Sequence, residues 1–176
     1  MQPAGIIQFQ NVIAFLEKTP KVLETLLAGT DEETLIWKPA PDRWSISEVL
    51  AHLAAIETLY GQRVQRMATE DSPLLEKYDP GRASAEGHYA QGDAEAHLAA
   101  FSEARQGILA FLSMLPPTAG ARTGRHAELG TVTLSEVLHE MASHDLGHLR
   151  QIAELYRALE FYPYAGPFQK YSNPRP

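Results

Sequence analysis

The chain contains no cysteine. That excludes disulfides, thiolate zinc sites and a cysteine nucleophile, and nothing in the composition demands an oxidising compartment. Long apolar runs are missing as well. No stretch approaches the ~18 apolar residues of a membrane span, so no membrane partner is expected. The opening residues MQPAGIIQFQNVIAFLEKTP lack a cationic start, and Gln8, Gln10 and Asn11 interrupt their apolar residues. This is not the pattern of a signal peptide, and a cytoplasmic location is the expectation. Basic clusters are also lacking. With a formal charge of -7 and no run of five basic residues, the chain offers no nucleic-acid surface. What is present is ordinary for a globular protein: 21% charged and 44% apolar residues over a length of 176. Against about 150 residues per domain, that length predicts a single domain, 1–176, with a sizeable core.

Periodicity finds helices and almost no strands. Phe9, Val12, Ile13 and Leu16 recur at three and four residues, and the pattern resumes at Leu23, Leu26 and Leu27 after Pro20. Thr19 as a cap with Pro20 in the first turn predicts a second helix rather than a kink, ended by Gly29. The segment WKPAPDRW is a proline-broken connection. A long helix is predicted from Ile46 to about Thr69, with Val49, Leu53, Ile56 and Tyr60 as its stripe and Leu50 and Val64 at the margins. Residues 70–93 are rich in turn formers and too long for a tight hairpin, so the chain can cross the bundle here. Leu98, Phe101, Ile108, Leu109 and Leu112 mark a helix from about Asp93 to Met114, stopped by Pro116 and Pro117. The last runs from Leu134 to about Glu160, before Pro163 and Pro167. Tyr162, Tyr164, Phe168 and Tyr171 suggest a tail packed back onto the body.

Two of the helix starts are nearly the same. SISEVL at 45–50 and TLSEVL at 133–138 each place a hydroxyl cap three residues before a glutamate, the capping-box arrangement. Trp44 with Val49, and Val132 with Val137, complete hydrophobic staples. One six-residue match does not establish duplication, but it does define where those two helices begin.

With the starts known, helix faces follow at about 100° per residue. Val137, Met141, Ile152 and Leu155 make the buried stripe of the last helix. His144 and His148 fall inside it at i, i+4. His139 lies about 140° away from His144 and faces solvent or the bundle edge. HEMASH therefore has one residue too many for the zinc-protease pattern H-E-x-x-H, and that reading is rejected. A lone histidine on an apolar face is more often a satisfied core residue than a ligand. Two at ligand spacing leave four ring nitrogens to be partnered, and a metal would satisfy one on each. His52, at the edge of the stripe on the Ile46–Thr69 helix, is the candidate third ligand. His88 and His126 fall in loops and His97 in a first turn, which makes them poorer candidates.

RWSISEVLAHLAAIETLY, followed some ninety residues later by HDLGHLRQI and preceded by WKPAPDRWS, resembles the DinB/YfiT-like superfamily of metalloenzymes. The resemblance extends over nearly the whole chain. It implies an all-α four-helix bundle in up-down-down-up order, which accommodates the long connection between the second and third bundle helices. It also implies a divalent metal held by one histidine from the second bundle helix and an H-x-x-x-H pair from the fourth. The matching positions here are His52, His144 and His148.

Three neutral imidazoles without a protein carboxylate suit Zn or Ni better than Mg or Ca. Three protein ligands leave a position open for water or a substrate thiolate. Asp145 is expected in a supporting or surface role, Glu140 could orient a ligand imidazole, and Glu57 and Tyr60 share part of the His52 face; none is named as catalytic. By the resemblance, the expected function is a metal-dependent enzyme acting on a small-molecule electrophile with water or a low-molecular-weight thiol cosubstrate. Lacking cysteine, the chain would have to receive any thiol from outside. The family's habit of homodimerisation is carried over as an expectation, although no apolar pattern isolates an interface. The alternatives are a non-catalytic, stress-associated metal-binding bundle, with a fourth ligand such as His88 or His97 closing the site, and a helical interaction module whose histidines are core residues.

Overall fold

A computed structural model describes residues 4–171 and 173–176, with side chains from Gln8 onward. In chain order the helices are α1 (Ala4–Leu16), α2 (Thr19–Leu27), α3 (Glu32–Ile36), α4 (Ile46–Thr69), α5 (Pro80–Ala85), α6 (Ala94–Ser113) and α7 (Leu134–Tyr156). α4, α6 and α7 pack together with α1 and α2, and no helix is long and apolar enough to cross a membrane among the described residues.

Both capping boxes form. The Glu48 backbone N–H donates to Ser45 Oγ at 3.2 Å, while Ser45 N–H donates to Glu48 Oε2 at 2.9 Å. Thr133 and Glu136 repeat the exchange at 3.2 and 2.6 Å. A cap of this kind contributes roughly 1 kcal/mol. Asp93 caps α6 through the Ala96 N–H. Thr19 does something other than the expected capping. Lys18 stands at the N-cap of α2 without a side-chain bond, and the Thr19 hydroxyl turns inward to donate to Asp145 Oδ2 at 2.7 Å.

The all-α expectation needs one correction. A small sheet is present, in the order β1 (Leu74–Leu75), β2 (Thr123–His126), β3 (Gly130–Thr133), with β1 parallel to β2 and β2 antiparallel to β3. Strands of two and four residues are too short to show a period of two. Tertiary anchoring makes up for that: Arg122 donates to the carbonyls of Met67 and Glu70 at the end of α4, both at 2.6 Å, and so ties the hairpin to the bundle. Gly124 is closely packed: a Cβ there would stand 3.0 Å from the Leu75 side chain and 3.1 Å from that of Met67, and both would have to shift. The tail also differs from expectation. α7 widens into a π-helical turn at Arg157–Phe161, and Tyr164, Phe168 and Tyr171 are exposed rather than packed onto the body.

The apolar interior falls into two main clusters. One joins α1 (Phe9, Val12, Leu16), the second half of α4 (Ile56, Tyr60, Val64, Met67), the end of α6 (Ile108, Leu112) and the start of α7 (Leu134 to Met141). The other joins Leu23, the first half of α4, Phe101 and the end of α7 (Ile152, Leu155). At the level between them sits Arg105, fully buried. Its Nε and Nη2 bind the two oxygens of Glu57 at 2.6 and 2.8 Å, its Nη1 and Nη2 bind Asp145 at 2.9 and 3.1 Å, and Nη1 also donates to the Leu16 carbonyl at 2.9 Å. All five N–H donors of the guanidinium are thus used. Asp145, expected in a supporting or surface role, is buried in this network, as is Glu57. Burial pushes the Glu57 carboxyl up from its ordinary range, against the pull of Arg105.

Removing one member of a buried ionic network strands its partners without water. Arg105→Leu is expected to lower stability by about 3–5 kcal/mol in urea unfolding. The triple replacement Glu57→Leu, Arg105→Met, Asp145→Leu is expected to be less destabilised than this single change.

Candidate metal centre

The three histidines singled out from the sequence come together. His52 projects from α4 and is 3% exposed; His144 and His148, half-buried, project from successive turns of α7. His144 Nε2 lies 3.1 Å from His52 Nε2 and 3.2 Å from His148 Nε2, and one ligand atom from each ring lies within 4.8 Å of the others. Among the described residues this is the group of histidine and acidic side chains whose geometry could hold a metal ion.

The outer nitrogens have distinct partners. His148 Nδ1 is 2.9 Å from Gln151 Oε1, one turn further along α7. An amide oxygen can only accept, so Nδ1 carries the proton and Nε2 turns a lone pair inward. His52 Nδ1 meets the Tyr89 hydroxyl at 3.1 Å, and that hydroxyl meets Tyr78 at 2.6 Å. His144 Nδ1 is buried without a hydrogen-bond partner. Trp44 packs across the cluster, 5.0 Å from the His52 ring centroid and stacked at 6.3 Å on His148.

The electrostatics keep these rings neutral. Burial, with the neighbouring His148 and His144, lowers His52 to about 3. Burial and then His148 lower His144 to about 4, although Asp145 acts in the opposite direction. His148 is also lowered by burial, against its Gln151 bond and Asp145. The donor set fits a divalent cation. Ligand bonds of about 2.0–2.1 Å in a tetrahedral arrangement place nitrogens roughly 3.3 Å apart, close to the two edges found here. Without a cation, one inward Nε2 must carry a proton that cannot serve both neighbours fully, and a buried His144 Nδ1 is left over.

The other sequence candidates divide. His139 is exposed and its Nδ1 contacts the Ser135 carbonyl, in keeping with its outward face. His88 is exposed beside Glu86, and His97 lies near Gly92; neither belongs to the three-histidine group. Glu140 is exposed and makes no hydrogen bond to a histidine among the described residues, so the expected orienting contact is not made. Tyr60 packs edge-on to His144, with ring centroids 6.1 Å apart, and burial raises its phenol well above the ordinary range.

His126 corrects the loop assignment. It ends β2, and its Nδ1 accepts from the backbone N–H groups of Glu128 and Leu129 at 3.2 and 3.3 Å. A neutral His126 therefore carries its proton on Nε2. Together with Trp44, Ile56, Leu59, Tyr60 and Tyr78, it lines a cavity of about 350 Å³ that opens onto all three histidines, the size of a small-molecule site. Sequence reasoning missed Tyr89, Gln151 and the placement of His126. Gln151 could have been found, since it stands three residues from His148 on the same helix. Tyr89 lies in the aperiodic crossover and carried no such signal.

A largely helical bundle with three histidines gathered on two of its helices is the class this structure defines. Residues 16–152 match the DinB superfamily, and the chain belongs to that superfamily. A protein of Oceanobacillus iheyensis, whose name proposes a metal-dependent hydrolase, is 25% identical over 162 residues, covering 87% of this chain and 94% of its own. The fold is similar to that of YfiT from Bacillus subtilis, described as a probable metal-dependent hydrolase with an unusual four-helix bundle topology. The TM-score is 0.78 at 24% identity, covering 86% of this chain and 87% of that one.

In metal-free protein at neutral pH, long-range proton–nitrogen spectra are expected to show His148 protonated at Nδ1 and bare at Nε2. Gln151→Leu should remove that preference. A proton on Nε2 of His148 in the unaltered protein would contradict the orientation described here.

Proposed function

We propose that His52, His144 and His148 bind one divalent cation, Zn or Ni, and that the protein is a metal-dependent hydrolase of small electrophilic molecules. The observation that carries this reading is the convergence of three neutral Nε2 atoms from two helices beside a cavity of small-molecule size. The names of the relatives support it, as does the lack of a fourth histidine or carboxylate in the group among the described residues, which suits an open position better than a closed structural site. The two core clusters support the up-down-down-up order. In each, α4 and α6 contribute corresponding halves while α7 contributes the opposite end.

When bound, a divalent ion supplies Lewis-acid polarisation and acidifies water. The chain's own residues do the rest. Gln151 and Tyr89 orient His148 and His52 from behind. Trp44, Ile56, Leu59 and Tyr78 wall the cavity with largely apolar surface. Tyr60, kept protonated by burial, and the Nε2–H of His126 are donors suited to an oxygen that gains negative charge, and Arg63 on the same wall adds positive potential. A thiol nucleophile is the second arm of the proposal; it would enter with a cosubstrate, since the chain has no cysteine.

Protein purified without an affinity tag is expected to carry close to one Zn or Ni per chain by elemental analysis, and His144→Ala to lose it. Tyr89→Phe should weaken metal binding roughly 10–100-fold, as loss of a ligand-orienting bond does. Metal-loaded protein should turn over members of a panel of small activated esters and amides, with and without low-molecular-weight thiols. Equal metal content or equal turnover in His144→Ala would overturn the reading.

A further inference from the structure

A cleft of about 600 Å³ is separate from the cavity at the histidines. It is lined by Arg43, Arg150, Arg157 and Arg175, four of the ten arginines in a chain whose net charge is -7. Glu154 supplies the one acidic side chain in its wall. That carboxylate is already engaged: it pairs with Arg157, accepts from the Arg175 backbone N–H at 2.8 Å, and is held below its ordinary range by these contacts. Arg43 donates to the Pro176 backbone oxygen. Arg150 makes no hydrogen bond or ion pair among the described residues.

Four guanidinium groups share this wall with the Glu154 carboxylate and the Pro176 oxygen, and a further anion among them relieves the mutual repulsion that these two acceptors leave. Guanidinium forks match the oxygens of carboxylates and phosphates two at a time, which makes an arginine-lined recess a recognition site for such groups rather than a generic basic surface. The position of the cleft adds a second observation. Gln151, which lines it, is the residue bonded to His148 Nδ1. Arg43, also in the wall, directly precedes Trp44, which stacks on His148.

We propose that this cleft binds a small multivalent oxyanion, a molecule bearing phosphate or carboxylate groups, held by Arg43 and Arg150 against the residues that orient His148. The bound anion neutralises the excess of arginine and lies directly behind the three-histidine cluster, outside its cavity.

The test uses the as-purified full chain and isothermal titration in 0.15 M sodium chloride, with inorganic phosphate in one series and citrate in the other. Saturable one-site binding of at least one of them is expected, and whichever binds more tightly tells phosphate from carboxylate recognition. Arg150→Gln should weaken it about tenfold, the usual consequence of losing a charge-assisted hydrogen bond, and Arg43→Gln/Arg150→Gln should abolish it. Arg66→Gln, an exposed arginine paired with Glu70 at the other end of α4, should leave it unchanged. Thermal melts establish that each variant is folded. Absence of saturable binding for both anions, or equal affinity in the double variant, overturns the proposal. Neither outcome bears on metal content, which is measured separately.

Discussion

The Arg105 guanidinium directs all five of its N–H groups to Glu57, Asp145 and the Leu16 carbonyl, and the Thr19 hydroxyl completes the shell around Asp145. These contacts join α1, α2, α4, α6 and α7 at one level, between two apolar clusters. Apolar packing is largely tolerant of small rotations and slides, whereas five directional bonds to buried charges are not. The network thus selects one mutual register of α4 and α7. Because Asp145 follows His144 and Glu57 lies five residues after His52, the same register decides where the three imidazoles meet.

Around the imidazoles the same economy of contacts recurs. Helix α7 places His144 and His148 on one face and turns Asp145 about 100° away into the core, so adjacent residues serve two different layers. Trp44, fixed by the start of α4, covers the cluster from outside, while Tyr89 and Gln151 hold two of the rings by their outer nitrogens. The cavity in front of the rings is more apolar than polar, with Tyr60, Arg63, Tyr78, His126 and Glu128 as the polar side chains that line it beside the three histidines. The cleft behind them is rich in arginine. The Gln151–His148 contact links these two environments.

Much of the molecule was legible because local rules and tertiary demands agreed. The long helices follow from 3.6-residue periodicity, and the two capping boxes locate the starts of α4 and α7 to the residue. Where local rules were silent, reading stopped. Helix α3 has five residues and the strands two or four, too few for any period to emerge. Thr19 looked like a cap because its immediate neighbours are those of a helix start; a partner 126 residues away claimed its hydroxyl instead. The aromatic residues of the tail suggested a segment packed back onto the body, yet Tyr164, Phe168 and Tyr171 are exposed and Tyr162 is half-buried.

By itself the sequence determined the long helices, their caps and the face on which His144 and His148 lie, since each depends on residues within a turn or two of one another. The tertiary structure decided that His52 reaches them, that Tyr89 and His126 stand where they do, and that Asp145 and Glu57 belong to a buried charge network. Those are contacts between segments 37 to 126 residues apart, and no spacing rule along one strand of chain encodes the distance between two helices.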